Sequence, residues 1–254
     1  MYHIISIYAL VAQWIEQRTS KPKVVGSIPT QGTKIYPCYY KIMSNKHSKE
    51  DARQAHDYLL DLSRLTVRFA KVERAPRYPS GDRENDVEHS FHLALLAVEL
   101  AADYYPELDI GLVAQYSLIH DLPESYVGDT WTIGISDKDR AKKEKIEKEA
   151  TEKLLNELPP HIAQLLKRYE QQIEPEARFV RFVDKLTPSV INIMAGDANT
   201  FIEDHGIKTL DEWGADRDEY HARLLRMFPE FEFIQMIQEL ISDTTAAYIF
   251  KDKN

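Results

Sequence analysis

The chain has 254 residues and a formal net charge of −9 at pH 7, with a pI near 5.5. That balance repels a phosphate backbone, which argues against a nucleic-acid polymer as partner; a small phosphate-bearing substrate stays open, because a bound metal inverts the local potential. The lone cysteine, Cys38, excludes an intramolecular disulfide framework and fits a cytoplasmic location.

Residues 1–42 differ in character from the rest. Tyr2 to Trp14 is apolar, yet it lacks the basic n-region and small-residue cleavage site of a signal peptide and is too short to span a bilayer. Val11-Ala12-Gln13-Trp14-Ile15-Glu16 back-translates to GTA GCT CAG TGG ATA GAG, which looks like the D-arm of a tRNA gene. Gly26-Ser27-Ile28-Pro29 back-translates to GGT TCG ATT CCT, which looks like a T-arm, in the right order and at a tRNA-like separation. Residues 1–42 are therefore expected to be a non-native or disordered extension read through a tRNA gene, with the natural start at Met43. An ordinary variable extension is the other reading. Peptides upstream of Met43 in the native protein would decide for it.

Residues 43–254 read as one domain, with no Gly/Ser linker, repeat or low-complexity block. Low glycine, at 9 residues, and 43% hydrophobic residues in long charged-apolar periodic runs favour helices. The first is expected over Asp51 to Val72. A loop rich in Arg, Pro and Gly follows, through Arg77-Tyr78-Pro79-Ser80-Gly81. Val87 to Tyr104 reads as a strongly apolar helix with Asn85 or Asp86 as N-cap. Ile110 to His120 is another, broken or redirected by Pro123. Lys138 to Leu158 is heavily charged, and its Lys142-Lys143-Glu144-Lys145 run reads as a solvated face. Further helices are expected at His161–Gln172, Pro175–Asp204, Leu210–Met227 and Phe231–Phe250. No stretch reads as an alternating strand. The expected architecture is an all-α bundle of roughly seven to nine helices.

Four side chains stand out: His89, the adjacent pair His120 and Asp121, and Asp184. Two imidazoles and two carboxylates make a divalent-metal set. Taken singly, each has an ordinary structural reading. His89 suits a satisfied buried histidine, Asp121 a helix cap, and Asp184 a partner for Arg181 or Lys185. Together they are harder to dismiss. His120 and Asp121 end an apolar helix, Asp184 closes the mostly apolar run from Phe179, and His89 begins a core helix. Burying such groups is costly without a partner, and one shared ion would account for all of them. Two nitrogen and two oxygen ligands leave positions for water or substrate. They suit Mn²⁺, Co²⁺, Fe²⁺, Zn²⁺ or Mg²⁺ alike.

The pattern extends beyond the ligands. Val87-Glu88-His89-Ser90 opens one helix. His120-Asp121-Leu122-Pro123-Glu124 is followed by Tyr126-Val127-Gly128-Asp129. Glu176 to Leu186 reads Glu-Ala-Arg-Phe-Val-Arg-Phe-Val-Asp-Lys-Leu. In this order and spacing, over roughly Leu59 to Gly206, the chain resembles the HD-domain 5′-deoxynucleotidases, including their "HD domain-containing protein 2" relatives.

The resemblance implies an all-α metal-dependent phosphohydrolase. It would hold one divalent ion through His89, His120, Asp121 and Asp184 and cleave a (deoxy)nucleoside 5′-monophosphate to nucleoside and phosphate. It implies a catalytic role for Glu124, which a helical turn would bring onto the face of His120 and Asp121; its other reading is a surface residue after a proline. It implies substrate handling and proton transfer for Asp129, and substrate contacts for Thr130, Trp131 and Thr132, which could equally pack their loop. It implies that Arg74 orients the nucleotide, as a guanidinium bridging phosphate oxygens would. Some members carry tryptophan where this chain has Ala75, which leaves the choice between deoxyribose and ribose open. Association as a homodimer is expected by analogy. The alternatives are an HD enzyme acting on nucleoside triphosphates or (p)ppGpp, and a non-catalytic nucleotide-binding module. The (p)ppGpp hydrolases typically show His-Asp-x-x-Glu-Asp, and Ser125 stands where the last aspartate would be.

Overall fold

The computed structural model describes residues 47–128, 137–196, 206–207 and 209–249. The proposed extension 1–42, with Cys38, lies outside them, as do Asp129, Thr130, Trp131 and Thr132. Contacts divide the chain into Met1–Asp51 and Ala52–Asn254. In the first unit, Ser48 and Asp51 accept each other's backbone N–H (2.7 and 3.0 Å). That reciprocal cap starts helix α1, Lys49–Phe69.

In the second unit the chain is mostly helical. After α1 come strands β1 (Glu73–Arg77) and β2 (Arg83–Asn85), then α2 (Asp86–Tyr104), α3 (Ile110–Ile119), α4 (Glu124–Val127) and α5 (Asp137–Leu155). They are followed by α6 (Pro160–Gln171), α7 (Pro175–Asp184), α8 (Thr187–Ala195), α9 (Leu210–Met227) and α10 (Glu232–Ile249). None of the described helices is long and apolar enough to cross a membrane.

The centre is the packing of α2, α3 and α7 on one another. On α2, His89, Leu93, Ala97 and Ala101 are fully buried. Their four-residue spacing puts them on one face, and the two alanines let α3 approach. On α3 the buried stripe runs Val113, Tyr116, Ser117, and His120 continues it just past the helix end. On α7 Phe179, Val180, Phe182 and Val183 are fully buried. Each stripe thus reaches a polar residue: His89, His120 and Asp184.

Two local features differ from the sequence reading. The Arg/Pro-rich loop contains a two-stranded antiparallel ribbon, β1 with β2, turned at Tyr78–Asp82 through Gly81 at φ +91°. It is invisible to hydrophobic alternation because charged residues occupy its inner face: Arg74 and Glu84 are buried at alternating positions. The expected helix Pro175–Asp204 is broken. Pro188 at the start of α8 has no N–H to continue the ladder, and the Lys185 N–H falls back on the Phe182 and Val183 carbonyls. The break leaves Asp184 at the end of α7. Leaving aside the single turn α4, the described residues hold nine helices, in keeping with the expected seven to nine.

Candidate metal centre

His89 sits on the first turn of α2, and that turn is fixed by Asn85. The Asn85 side chain accepts from the Val87 and Glu88 N–H groups (3.0 and 3.1 Å), while Glu88 accepts from the Asn85 N–H (3.1 Å). This is a full capping box. With Asn85 as cap, Asp86 is released for another role. His120 and Asp121 follow α3. The Glu124 N–H bonds back to the Asp121 carbonyl at 2.8 Å, so the chain curls around the aspartate and brings Glu124 beside it.

The four side chains converge. Ligand atoms of His89, His120, Asp121 and Asp184 all lie within 4.8 Å of one another. His89 Nε2 is 3.0 Å from Asp184 Oδ1 and 3.3 Å from His120 Nε2. His120 Nε2 is 2.9 Å from Asp121 Oδ2 and 3.7 Å from Asp184 Oδ1. Atoms about 2.1 Å from a common ion stand roughly 3.0 Å apart at right angles and roughly 3.4 Å apart in a tetrahedron, so this spacing fits one ion.

The groups behind the ligands agree. His120 Nδ1 donates to the Ser117 carbonyl at 2.9 Å, leaving Nε2 as the free lone pair. His89 Nδ1 faces Thr187 Oγ1 at 3.5 Å, and that hydroxyl donates to the Asp184 carbonyl at 2.8 Å. Lys185 Nζ takes Asp184 Oδ2 at 2.6 Å, and Oδ1 is the oxygen turned to the histidines. His120 and Asp184 both stand at helix C-termini, where the backbone carbonyls favour a cation.

Electrostatics point the same way. Burial opposes charge on His120, but the Asp121 and Asp184 carboxylates outweigh it and raise the imidazole to about 10. Burial also opposes ionised Asp121, yet His120 and Arg74 hold its carboxyl far below the usual range. Asp184 is held well below it by Lys185 and the two histidines, again against burial. The cluster is a pair of carboxylates, Asp184 buried and Asp121 partly so, that draws in positive charge.

Glu124 reaches the same place: its carboxylate lies within 4.8 Å of those of Asp121 and Asp86. Arg74 is buried, with Nη1 2.9 Å from Asp121 Oδ2 and 3.0 Å from Asp86 Oδ1. The structure therefore brings together six of the residues singled out from the sequence or standing beside them: the four ligands, Glu124 and Arg74. The Asp129–Thr132 segment lies outside the described residues.

Sequence reasoning missed two side chains. Asp86 reads only as the alternative to Asn85 as helix cap, whereas it is fully buried against Arg74. Glu84 carries no reading of its own in the sequence. It is fully buried 3.6 Å from His89 Nδ1, 3.8 Å from Arg74 Nε and 4.0 Å from His92 Nδ1. The signal available was the acidic Glu84-Asn85-Asp86 run against an apolar helix. His92 meets the site through Glu84.

The chain belongs to the HD-domain family, whose model matches residues 67–224. Among solved structures it is similar to a predicted metal-dependent phosphohydrolase from Magnetospirillum magnetotacticum MS-1. The identity is 25% and the TM-score 0.56, over 76% of this chain and 96% of that one. It also matches a conserved hypothetical protein from Pyrococcus furiosus at 20% identity and TM-score 0.43, over 71% of this chain and 99% of that one. No curated protein matches the chain.

Proposed function

We propose that this HD-domain protein is a metal-dependent phosphohydrolase, and specifically a 5′-nucleotidase that converts (deoxy)nucleoside 5′-monophosphates to nucleoside and phosphate. The observation that carries the reading is the convergence of His89, His120, Asp121 and Asp184 with a further carboxylate, Glu124, beside Asp121. The similarity to a protein described as a predicted metal-dependent phosphohydrolase supports the reaction class. The nucleotide substrate rests on the resemblance of the motifs to the 5′-deoxynucleotidases.

A divalent ion held by the four ligands would lower the pKa of water and polarise a phosphoryl oxygen. The protein's own groups do the rest. Glu124 orients the attacking water and takes its proton as the bond to phosphorus forms. Asp129 returns a proton to the nucleoside oxygen as the P–O bond breaks. Arg74, held by Asp86 and Asp121, fixes positive charge next to the reacting phosphate. The buried walls around His89 and His120 keep bulk water from the ligands.

The test is phosphate release from dAMP, dTMP, AMP and dATP by metal-stripped protein resupplied with Mn²⁺ or Co²⁺. Monophosphate turnover is the expected result, and the dAMP/AMP ratio reads the effect of Ala75 on sugar choice. Tripolyphosphate from dATP with silence on monophosphates would move the assignment to a triphosphohydrolase. Nucleotide binding without turnover on any metal would make the protein a binding module.

A further inference from the structure

Asp121 belongs to two clusters. On one side it joins His89, His120 and Asp184. On the other it joins Asp86 and Glu124, whose carboxylate oxygens also lie within 4.8 Å of its own. Three carboxylates this close repel one another strongly in a protected site unless a cation stands among them.

That cation is a side chain. Arg74 Nη1 lies 2.9 Å from Asp121 Oδ2, 3.0 Å from Asp86 Oδ1 and 3.6 Å from Glu124 Oε2. The guanidinium is delivered by β1, and Arg83 on β2 clips that strand by donating to the Arg74 and Ala75 carbonyls (3.1 and 3.2 Å). Asp86 is fully buried and Arg74 is 8% exposed. A guanidinium keeps its charge at any working pH, so no change of pH vacates the position.

One oxygen serves both sides. Asp121 Oδ2 is 2.9 Å from Arg74 Nη1 and 2.9 Å from His120 Nε2. A carboxylate placed between two cation positions is the bridging arrangement of two-metal hydrolytic centres, in which the ions stand about 3.5–4 Å apart. A set of three carboxylates is also the hard-oxygen donor type that takes Mg²⁺ or Mn²⁺.

The geometry points to Arg74 as a built-in cation: its guanidinium fills the place between Asp86, Asp121 and Glu124 that a second divalent ion would otherwise take, so that the centre carries a single ion. This rests on the metal reading of His89, His120, Asp121 and Asp184, and not on the identity of the substrate. It also gives the β1–β2 ribbon a function, since that ribbon is what brings the charge in.

The test is metal content after equilibrium dialysis against saturating Mn²⁺, read by elemental analysis, together with low-temperature electron paramagnetic resonance. The wild-type protein is expected to hold about one Mn²⁺ with the spectrum of an isolated ion. Arg74→Ala is expected to hold about two, with the signature of a spin-coupled pair. Arg74→Lys, which keeps a charge on the same strand, is expected to stay at about one. A coupled pair in the wild-type protein would overturn the inference even if Arg74→Ala failed to fold. So would a folded Arg74→Ala that still held one ion. No bound ion in the wild type would sink the metal reading and this inference with it. One bound ion with no monophosphate turnover would leave the inference standing and remove only the nucleotidase assignment.

Discussion

His89 and His120 turn their Nε2 atoms to within 3.3 Å of each other, although His120 Nδ1 is already engaged with the Ser117 carbonyl. Two imidazole lone pairs do not face at that distance unaided. A proton or a metal ion must lie among these nitrogens and the Asp121 and Asp184 oxygens, and the two compete for the same place.

That competition sets a pH dependence. In the metal-free protein His120 stands at about 10, against about 6.5 in an unfolded chain. Its pairing with the carboxylates therefore stabilises the metal-free fold fully below about pH 6.5, and this contribution is lost as pH rises through about 10. Metal binding must expel the proton, so affinity rises with pH over the same window, by up to about tenfold per pH unit for one proton released. Mn²⁺ titrations and thermal melts at about pH 6 and about pH 8.5 check both signs. The metal-induced rise in Tm is expected to be larger at the higher pH.

Asp121 and Glu124 are neighbours with separable duties. Asp121→Ala removes a ligand and is expected to lose metal and activity together. Glu124→Ala is expected to keep the ion and lose turnover by about 10²–10⁴-fold, the usual range for a general base. Metal content beside kcat distinguishes the two, and full activity in Glu124→Ala would assign the base elsewhere.

Glu84 lies behind His89. Neither carboxylate oxygen has a hydrogen-bond partner among the described residues. The nearby basic groups are the His89 and His92 rings and Arg74 Nε. A carboxylate there orients a ligating imidazole and raises its basicity. Glu84→Gln keeps the shape and removes the charge, and is expected to weaken Mn²⁺ binding by about 10–100-fold. Unchanged affinity would reduce Glu84 to a packing residue.

The Asn85 capping box anchors the turn from which His89 projects. Asn85→Ala is expected to cost about 1 kcal/mol of stability. Denaturant melts of the metal-free protein measure it without interference from ligand binding.

The helices were legible because their apolar stripes are long, and the ligands because a His-Asp pair ending one such stripe is costly without a partner. The ribbon was not legible: Arg74 and Glu84 occupy its buried positions, and charges facing inward defeat a rule based on apolar alternation. The break after Asp184 was equally hidden, since Phe179 to Val183 and Val190 to Met194 share one helical periodicity across Pro188. Asp86 and Glu84 escaped because their partner, Arg74, is twelve and ten residues away on the other strand of that unseen ribbon.

The most direct test of the central claim is phosphate release from dAMP by metal-stripped protein before and after Mn²⁺ is added, with Asp184→Ala alongside. Activity that is absent without metal, returns with Mn²⁺ and stays absent in Asp184→Ala is the predicted result. Equal activity in the stripped protein, or Mn²⁺-dependent turnover surviving in Asp184→Ala, would contradict it.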